Sequence, residues 1–194
     1  MYRETGSNDY EAFLRYTYAS DGNLERLKEN IGGNIRNTYF AYDADNRVTA
    51  IRKNKARAAY TYDSYGRVSK VVTSQYNSSS SIATVLTETY EFQEGTTRVS
   101  KFKSQSVGNY NVTYTYTYDE NGNILSVSDG THTTSFKYDD ANQLVREDNQ
   151  AANTTTLWTY DAGGNIKERK KYNYTTAATP SGTPTTYSYT SSAP

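Results

Sequence analysis

The chain contains no cysteine, and several residue types that carry common chemistry are scarce. Its 194 residues include one histidine, one methionine, one tryptophan and three prolines. Without cysteine, disulfide frameworks, thiolate metal sites and Cys–His catalysis are excluded. A serine triad would need the single imidazole of His132, which the neighbouring Gly130 places in a predicted hairpin turn. We therefore expect no catalytic residues, no cofactor and no metal site, and a protein that is not an enzyme.

Long apolar runs and an excess of either charge are also missing. No stretch approaches the roughly 18 apolar residues that a transmembrane helix needs, so we expect no transmembrane segment. The polar residues 1–7 predict no signal peptide. Lysine plus arginine and aspartate plus glutamate each number 21. The one basic cluster, residues 167–171, is interpreted as a solvated strand edge, so nucleic-acid binding is not expected.

Tyrosine is abundant and recurs in a repeat. The chain has 21 tyrosines. In six copies a tyrosine is followed four residues later by Gly or Asn, then by a polar residue and then by an aliphatic one. These copies are keyed at Tyr18, Tyr42, Tyr62, Tyr118, Tyr138 and Tyr160. A degenerate copy is keyed at Phe92, with Gly95 one place early, and an eighth begins at Tyr187 without being completed. We therefore expect a piece of a longer repeat array.

A second aromatic residue stands two places before each key tyrosine. Residues i and i+2 share one face of a strand, so each repeat presents a pair of rings on one side. If these rings form a core, those of the middle repeats should be largely buried against rings of neighbouring repeats. The predicted structural pairs are Tyr16 and Tyr18, Phe40 and Tyr42, Tyr60 and Tyr62, Tyr116 and Tyr118, Phe136 and Tyr138, and Trp158 and Tyr160.

The residues after the key tyrosine predict a tight turn. An aspartate carboxylate can accept hydrogen bonds from backbone N–H groups two residues on. Gly or Asn at the fourth place fits the left-handed conformation that closes a three-residue hairpin loop. The predicted turn residues are Asp43, Asn46, Asp63, Gly66, Asp119, Gly122, Asp139, Asn142, Asp161 and Gly164.

These turn roles account for the aspartates without invoking chemistry. Paired carboxylates for glycoside hydrolysis are therefore not expected. A calcium loop of the EF-hand type starting at Asp119 would need a glutamate at its twelfth place, which Gly130 occupies.

The returning strand is less regular, because its aliphatic residues, such as Val48 and Ile51, are spaced by three. Either a β-bulge or an early departure from the sheet would explain this spacing. The stretch from Leu24 to Ile35 could also form a helical turn, but residues 32–34 favour a second hairpin turn. We predict an all-β fold, an antiparallel array of repeated β-hairpins forming a curved ribbon, with no helix longer than two turns. The array covers 1–194 as a single unit and includes a Thr/Pro-rich loop at 175–186.

From about Tyr10 to Tyr189, the repeated Tyr-Asp, then Gly-Asn or Gly-Arg, then aliphatic pattern resembles the YD-repeat or Rhs-repeat family. Repeats such as Trp158-Thr-Tyr-Asp-Ala-Gly-Gly-Asn-Ile166 look like its bacterial wall-associated and secreted members. The resemblance implies a β-ribbon that spirals into a hollow shell. In polymorphic toxins and insecticidal toxin complexes that shell encloses a C-terminal toxic domain, and in animal teneurins a related shell serves adhesion.

Two departures limit what the resemblance implies. The patterned end of the family's core, with its self-cleavage aspartates, has no counterpart here, and no toxin domain follows. The expected function is a non-catalytic segment of an extracellular or cell-wall-associated shell, whose partners are the other repeats and the C-terminal domain of the same polypeptide. The alternative is a carbohydrate-binding or adhesion surface that uses exposed tyrosine and tryptophan rings to bind glycans.

Overall fold

The computed structural model describes residues 12–77 and 81–189. Tyr10, the expected start of the repeat pattern, and residues 1–7 lie outside them. The described residues contain 15 strands and no helix, and the hydrogen-bonded order of the strands follows chain order throughout. From β1 to β7 and from β9 to β15, each strand pairs antiparallel with the next. The predicted all-β array of consecutive hairpins is confirmed.

The connections between consecutive strands are of two alternating kinds. One kind is the key turn within a repeat, and the other is the turn between one repeat and the next. Their bounds are β1 Phe13–Tyr18, β2 Leu24–Ile31, β3 Asn34–Tyr42, β4 Val48–Lys53, β5 Ala56–Tyr62, β6 Val68–Tyr76, β7 Ile82–Phe92, β8 Val99–Ser106, β9 Asn111–Tyr118, β10 Ile124–Ser128, β11 Thr133–Tyr138, β12 Leu144–Asn149, β13 Thr154–Tyr160, β14 Ile166–Asn173 and β15 Thr185–Ser188.

The described residues fall into two compact units. The first runs up to Tyr90 and includes Lys103–Asn111, and the second comprises Glu91–Phe102 and the residues from Val112 onward. Since consecutive strands are antiparallel, the key turns of each unit lie together at one end of its strands. We call this end the key rim and the other end the opposite rim. At the opposite rim, the Thr/Pro-rich loop spans 174–184, because Thr185 and Thr186 already belong to β15.

A β-bulge explains the spacing of three in the returning strands. Tyr42 pairs with Val48, whereas the preceding Ala41 pairs with Ala50, so Thr49 is the extra residue. The bulge brings Val48 and Ile51 to the same face as the aromatic pair of their hairpin. The same register shift occurs next to the key tyrosine in five other hairpins, those of Tyr18, Tyr62, Tyr118, Tyr138 and Tyr160. The returning strands therefore remain in the sheet instead of leaving it early.

Residues 24–35 are strand and turn, as the two glycines indicated. β2 and β3 are joined at Gly32 and Gly33, whose φ angles are +57° and +78°. Two successive left-handed residues make the two-residue hairpin turn whose twist matches the flanking strands. The helical alternative for this segment is wrong.

Neither unit has a thick apolar interior. Ala50, at 9% exposure, is the one buried apolar residue among those described. The prediction of large burial is wrong for five of the paired rings, which are half-buried: Tyr42, Tyr62, Tyr118, Tyr138 and Trp158. The first aromatic pair is more open, with Tyr16 at 50% and Tyr18 at 61% exposure. A strand layer not covered by a second layer leaves part of each ring in contact with solvent.

Candidate functional site

The repeated structural site is the key turn, which Asp63 organises. Its N–H donates to the Arg67 carbonyl at 2.9 Å, and its carbonyl accepts from the Gly66 N–H at 3.0 Å. Its carboxylate accepts from the backbone N–H groups of Tyr65 and Arg67, both at 2.9 Å, and from Arg67 Nε at 2.7 Å. The bond to the residue two places on was predicted. The bond to the residue four places on was not predicted. It joins the first and last residues of the turn through the aspartate side chain.

The same carboxylate geometry recurs at the other key turns. In each, the aspartate Oδ1 accepts the N–H of the residue four places on, at 2.8 to 2.9 Å, in Asp43, Asp119, Asp139 and Asp161. The first repeat lacks this aspartate, and Asp21 accepts the N–H of Asn23 at 3.0 Å instead.

Hydrogen bonds to the carboxylates favour their charged form. The backbone N–H of Arg47, followed by its guanidinium, lowers the pKa of Asp43. The side-chain amide and then the N–H of Asn123 lower the pKa of Asp119. For Asp63, desolvation raises the pKa, but the bonds from Arg67 and Tyr65 outweigh it and the net direction is down. The turns are therefore held by ionised aspartates at neutral pH.

The fourth position of each turn is left-handed. Gly66, Gly122 and Gly164 have φ of +78°, +95° and +81°, the positive values predicted for them. Asn46 and Asn142 each have φ of +60°. Glycine and asparagine tolerate this conformation better than other residues do.

In five repeats the hydroxyl of the key tyrosine bonds to the repeat before it, and the degenerate repeat, keyed at Phe92, has no such hydroxyl. Tyr62 donates to the carbonyl of Val48 at 2.7 Å. The acceptor is always the aliphatic residue that begins the previous returning strand. The other four bonds are Tyr42 to Leu24, Tyr118 to Val99, Tyr138 to Ile124 and Tyr160 to Leu144, at 2.7 to 3.1 Å. Desolvation raises the pKa of Tyr138 and Tyr160, which keeps their hydroxyls protonated as donors.

A second connection between repeats lies along the key rim. The side chain after the fourth position reaches the turn of the following repeat, as when Asn23 Nδ2 donates to Asn46 Oδ1 at 2.8 Å. In the second unit, Asn123 donates to Asn142 at 2.7 Å. The degenerate repeat does the same with Arg98, which donates to the carbonyls of Asp119 and Glu120 at 3.1 and 3.2 Å. In these three repeats the polar residue of the motif bridges two turns, whereas Arg47 and Arg67 bind the aspartate of their own turn.

The degenerate repeat forms a longer key turn. Gln93 donates its N–H to the Arg98 carbonyl at 2.8 Å, five residues away, and Gly95 is left-handed at φ +69°. In the regular repeats the matching bond spans four residues. Gly95, which stands one place earlier than the glycine of the regular repeats, therefore adopts the same left-handed conformation.

A buried polar cluster fixes the long loop of the second unit. Arg146 and Asp148, only 4% and 8% exposed, are joined by Nε to the two carboxylate oxygens at 2.8 and 2.9 Å. The Arg146 guanidinium also donates to the carbonyls of Thr175, Ala177 and Ala178 at 2.8 to 2.9 Å. Every charge in the cluster therefore has hydrogen-bond partners, as burial requires.

The remaining sequence candidates occupy ordinary structural positions. His132 lies in the turn between β10 and β11, where its N–H donates to Asp129 Oδ1 at 2.7 Å. Residues 167–171 lie in β14, which pairs with both β13 and β15, so their interpretation as a strand edge is wrong.

Within the described ranges no cluster of histidine and acidic residues suits a metal ion. A helix with the length and apolar character to span a bilayer is absent from the same residues.

The backbone is similar to parts of solved Tc toxin structures. The crystal structure of TcdB2-TccC3-Cdc42 aligns with a TM-score of 0.54 and 13% identity over 89% of this chain and 12% of that one. TcdB2-TccC3 without its hypervariable C-terminal region gives 0.56 and 13% over 89% and 11%. The Photorhabdus luminescens Tc holotoxin pore gives 0.52 and 14% over 84% and 11%.

These comparisons show the fold and not the family. No protein-family model matches the sequence, and the comparison with curated proteins gives no match. At 13 to 14% identity the likeness to the toxin structures shows that the two share a backbone fold of β-hairpins. The chain spans about one eighth of the length of the toxin chains that it matches.

Proposed function

We propose that this chain is a non-catalytic segment of a secreted or cell-surface shell that encloses or displays a C-terminal domain, such as a toxin, of the same polypeptide. The observation that carries the proposal is the tyrosine hydroxyl bond that joins five of the repeats to the previous returning strand. Such a connection transmits stability from neighbour to neighbour, as in other repeat proteins, and can be continued at either end. The fold likeness to Tc toxin structures supports the same role.

The proposal is tested on the complete product of the gene that encodes this chain. A shell predicts a C-terminal segment that resists protease while the repeats are folded and is digested once urea unfolds them. The control is the C-terminal segment expressed alone, which should be cut at the unfolded rate. Equal digestion of the segment in the native and the urea-treated protein would rule out enclosure. A hydrolase domain that contains this stretch as its interior would overturn the structural role altogether.

Carbohydrate binding is a second candidate, favoured by one feature of the second unit. A polar cleft of about 340 Å³ is lined by Lys171, Tyr172, Tyr187 and residues 181–183 of the long loop. Arg169 lies over the Tyr187 ring at 5.3 Å. Its Nε is buried and has no hydrogen-bond acceptor among the described residues. The polar lining and the rings of Tyr172 and Tyr187 are the features of the cleft that suit a sugar.

Trp158 pairs with Arg169 in the sheet, so its fluorescence reports on the cleft. Glycan binding predicts a saturable change in this fluorescence when oligosaccharides are added, and its loss in Tyr172→Ala. The matched control is Tyr65→Ala, which removes an exposed ring in the first unit. No saturable change, or the same change in both variants, would exclude the cleft as a glycan site.

A further inference from the structure

One face of the first unit carries a concentration of positive charge. Strand register places six cationic residues on it, and we call this set the basic face. Neighbouring positions of one strand point to opposite faces, so Arg52 belongs to the basic face and Lys53 does not. The members of the basic face are Arg15, Arg26, Lys28, Arg52, Arg57 and Lys70.

Two pairs of these cations stand directly opposite each other. Arg15 pairs with Lys28 across β1 and β2, and Arg52 pairs with Arg57 across β4 and β5. Like charges at directly opposed positions destabilise a sheet. The direct repulsion within each pair therefore opposes folding of its hairpin.

Acidic residues do not neutralise this face. The strands β1 to β6 contain two acids, Glu25 and Glu29. Glu29 lies on the other face, where it pairs with Arg36 and holds Lys53 at 2.6 Å. Glu25 is the extra residue at the β2 bulge. Across the described residues no member of the basic face forms an ion pair.

The aromatic rings on the basic face are already covered by cations. Arg52 lies 4.5 Å from the centroid of Tyr39 and 5.7 Å from that of Tyr76. Arg15 and Lys28 lie 5.4 and 5.7 Å from the Phe13 centroid. Rings covered in this way have less free surface on which nucleic-acid bases could stack. The guanidinium groups keep their in-plane N–H donors, which match carboxylate oxygens in a bidentate geometry.

We propose that the basic face binds an acidic polypeptide segment, with carboxylates seated on the guanidinium groups of Arg52 and Arg57. Carboxylate binding neutralises the opposed cationic pairs, which offsets their repulsion when the partner is bound. Alternate residues of an extended peptide are spaced about 7 Å apart. The same spacing separates Arg26 from Lys28 along β2, so one extended acidic strand can meet both.

The test measures binding of a labelled oligoglutamate peptide to the 194-residue chain by fluorescence anisotropy. We expect saturable binding that weakens as salt rises to about 150 mM. Arg52→Gln/Arg57→Gln should raise the Kd by about tenfold or more, as expected for loss of close charge pairs. The control Arg36→Gln/Lys53→Gln removes the same net charge from the opposite face and should change the Kd by less than about twofold.

Further variants and competitors keep the outcome decisive. Arg57→Gln alone preserves the Arg52–Tyr39 contact and should still weaken binding, while thermal melts verify that each variant is folded. The proposal is overturned if oligoglutamate does not bind or if both double variants lose affinity equally. Tighter binding of single-stranded DNA or polyphosphate than of oligoglutamate would reject the acidic polypeptide as the partner. Because this assay uses the chain alone, its failure leaves the proposed shell role untouched.

Discussion

The Tyr62 hydroxyl donates a 2.7 Å hydrogen bond to the Val48 carbonyl, fourteen residues earlier in the chain. The acceptor begins the returning strand of the preceding repeat, at the residue next to its bulge. The motif tyrosine therefore has two roles, a ring that covers one face and a hydroxyl that fixes the neighbouring repeat. In five of the six copies this hydroxyl bond explains why the residue is tyrosine, since phenylalanine would cover the face equally well.

Removing that hydroxyl should weaken the array. We expect Tyr62→Phe to lower the free energy of unfolding by about 0.5–1.5 kcal/mol, because a half-buried carbonyl loses its donor. Urea unfolding followed by circular dichroism measures the change. The control is Tyr65→Phe, whose ring is 72% exposed and which should be neutral. Equal effects of the two substitutions would show that the bond to Val48 contributes nothing.

Two glycines with similar φ allow two costs of adding a side chain to be measured separately. One is the cost of backbone strain, and the other is the cost of disturbing a contact between repeats. Gly122 and Gly130 have φ of +95° and +90°. A Cβ added to Gly122 would lie 3.0 Å from Arg98 Nη2, whereas at Gly130 it would meet nothing within 4 Å. Gly130→Ala should cost about 1 kcal/mol from left-handed strain alone. Gly122→Ala should cost more, because it displaces the guanidinium that bridges to the next turn.

The extra cost at Gly122 is assigned to Arg98 by a double-mutant cycle. In the Arg98→Ala background, Gly122→Ala should cost the same as Gly130→Ala, because the contact is already gone. Additive effects of the two substitutions would contradict the bridge. Gly122→Val should be at least as damaging as Gly122→Ala, since a β-branched side chain fits this conformation worst.

Acid should unfold the array through its key turns. The pKa values of Asp43, Asp63, Asp119 and Asp161 are lowered from the ordinary value of 3.8. The folded state therefore binds their protons less readily than the unfolded state does. Their contribution to stability is complete above the unfolded value and is lost as pH falls below 3.8 through the folded values.

The acid prediction is measured by urea unfolding at pH values from neutral down through that range. Replacing the four aspartates with asparagine keeps a side-chain acceptor in each turn and should flatten the dependence on pH. Gly66→Ala perturbs the same kind of turn without removing a titrating group, so it should lower stability equally at every pH. An unchanged acid dependence in the asparagine variant would exclude the key turns as its source.

The Arg146 cluster should control the long loop of the second unit. Arg146→Ala leaves Asp148 buried without its partner, which costs about 3–5 kcal/mol. It also removes the donors to Thr175, Ala177 and Ala178, so a protease that cleaves after alanine should cut this loop sooner. Arg146→Met/Asp148→Leu leaves no unpaired charge and should unfold less readily than Arg146→Ala while still exposing the loop. A loop that stays resistant in both variants would contradict this role.

Local chemistry made the hairpins predictable, whereas long-range contacts had to be seen in the structure. The φ requirement at Gly66 and the acceptor role of Asp63 depend on residues within one turn, so the sequence alone indicates them. The bond from Arg146 to Ala178 joins residues 32 positions apart and depends on the path of the loop. The basic stretch was assigned to an edge because nothing local shows that Thr185–Ser188 pairs with it.

The two rims differ in how much change each can absorb. At the key rim the turns have nearly constant length, because the tyrosine hydroxyl, the aspartate carboxylate and the bridging side chain must all reach fixed partners. At the opposite rim the connections range from the two residues 32–33 to the eleven residues 174–184. New sequence can therefore enter at the opposite rim while the contacts between repeats stay intact. The loops at the opposite rim can therefore vary in length and sequence while the hydrogen bonds between repeats stay the same. We expect foreign peptides inserted after Lys53 to be tolerated more readily than the same peptides inserted after Asp43.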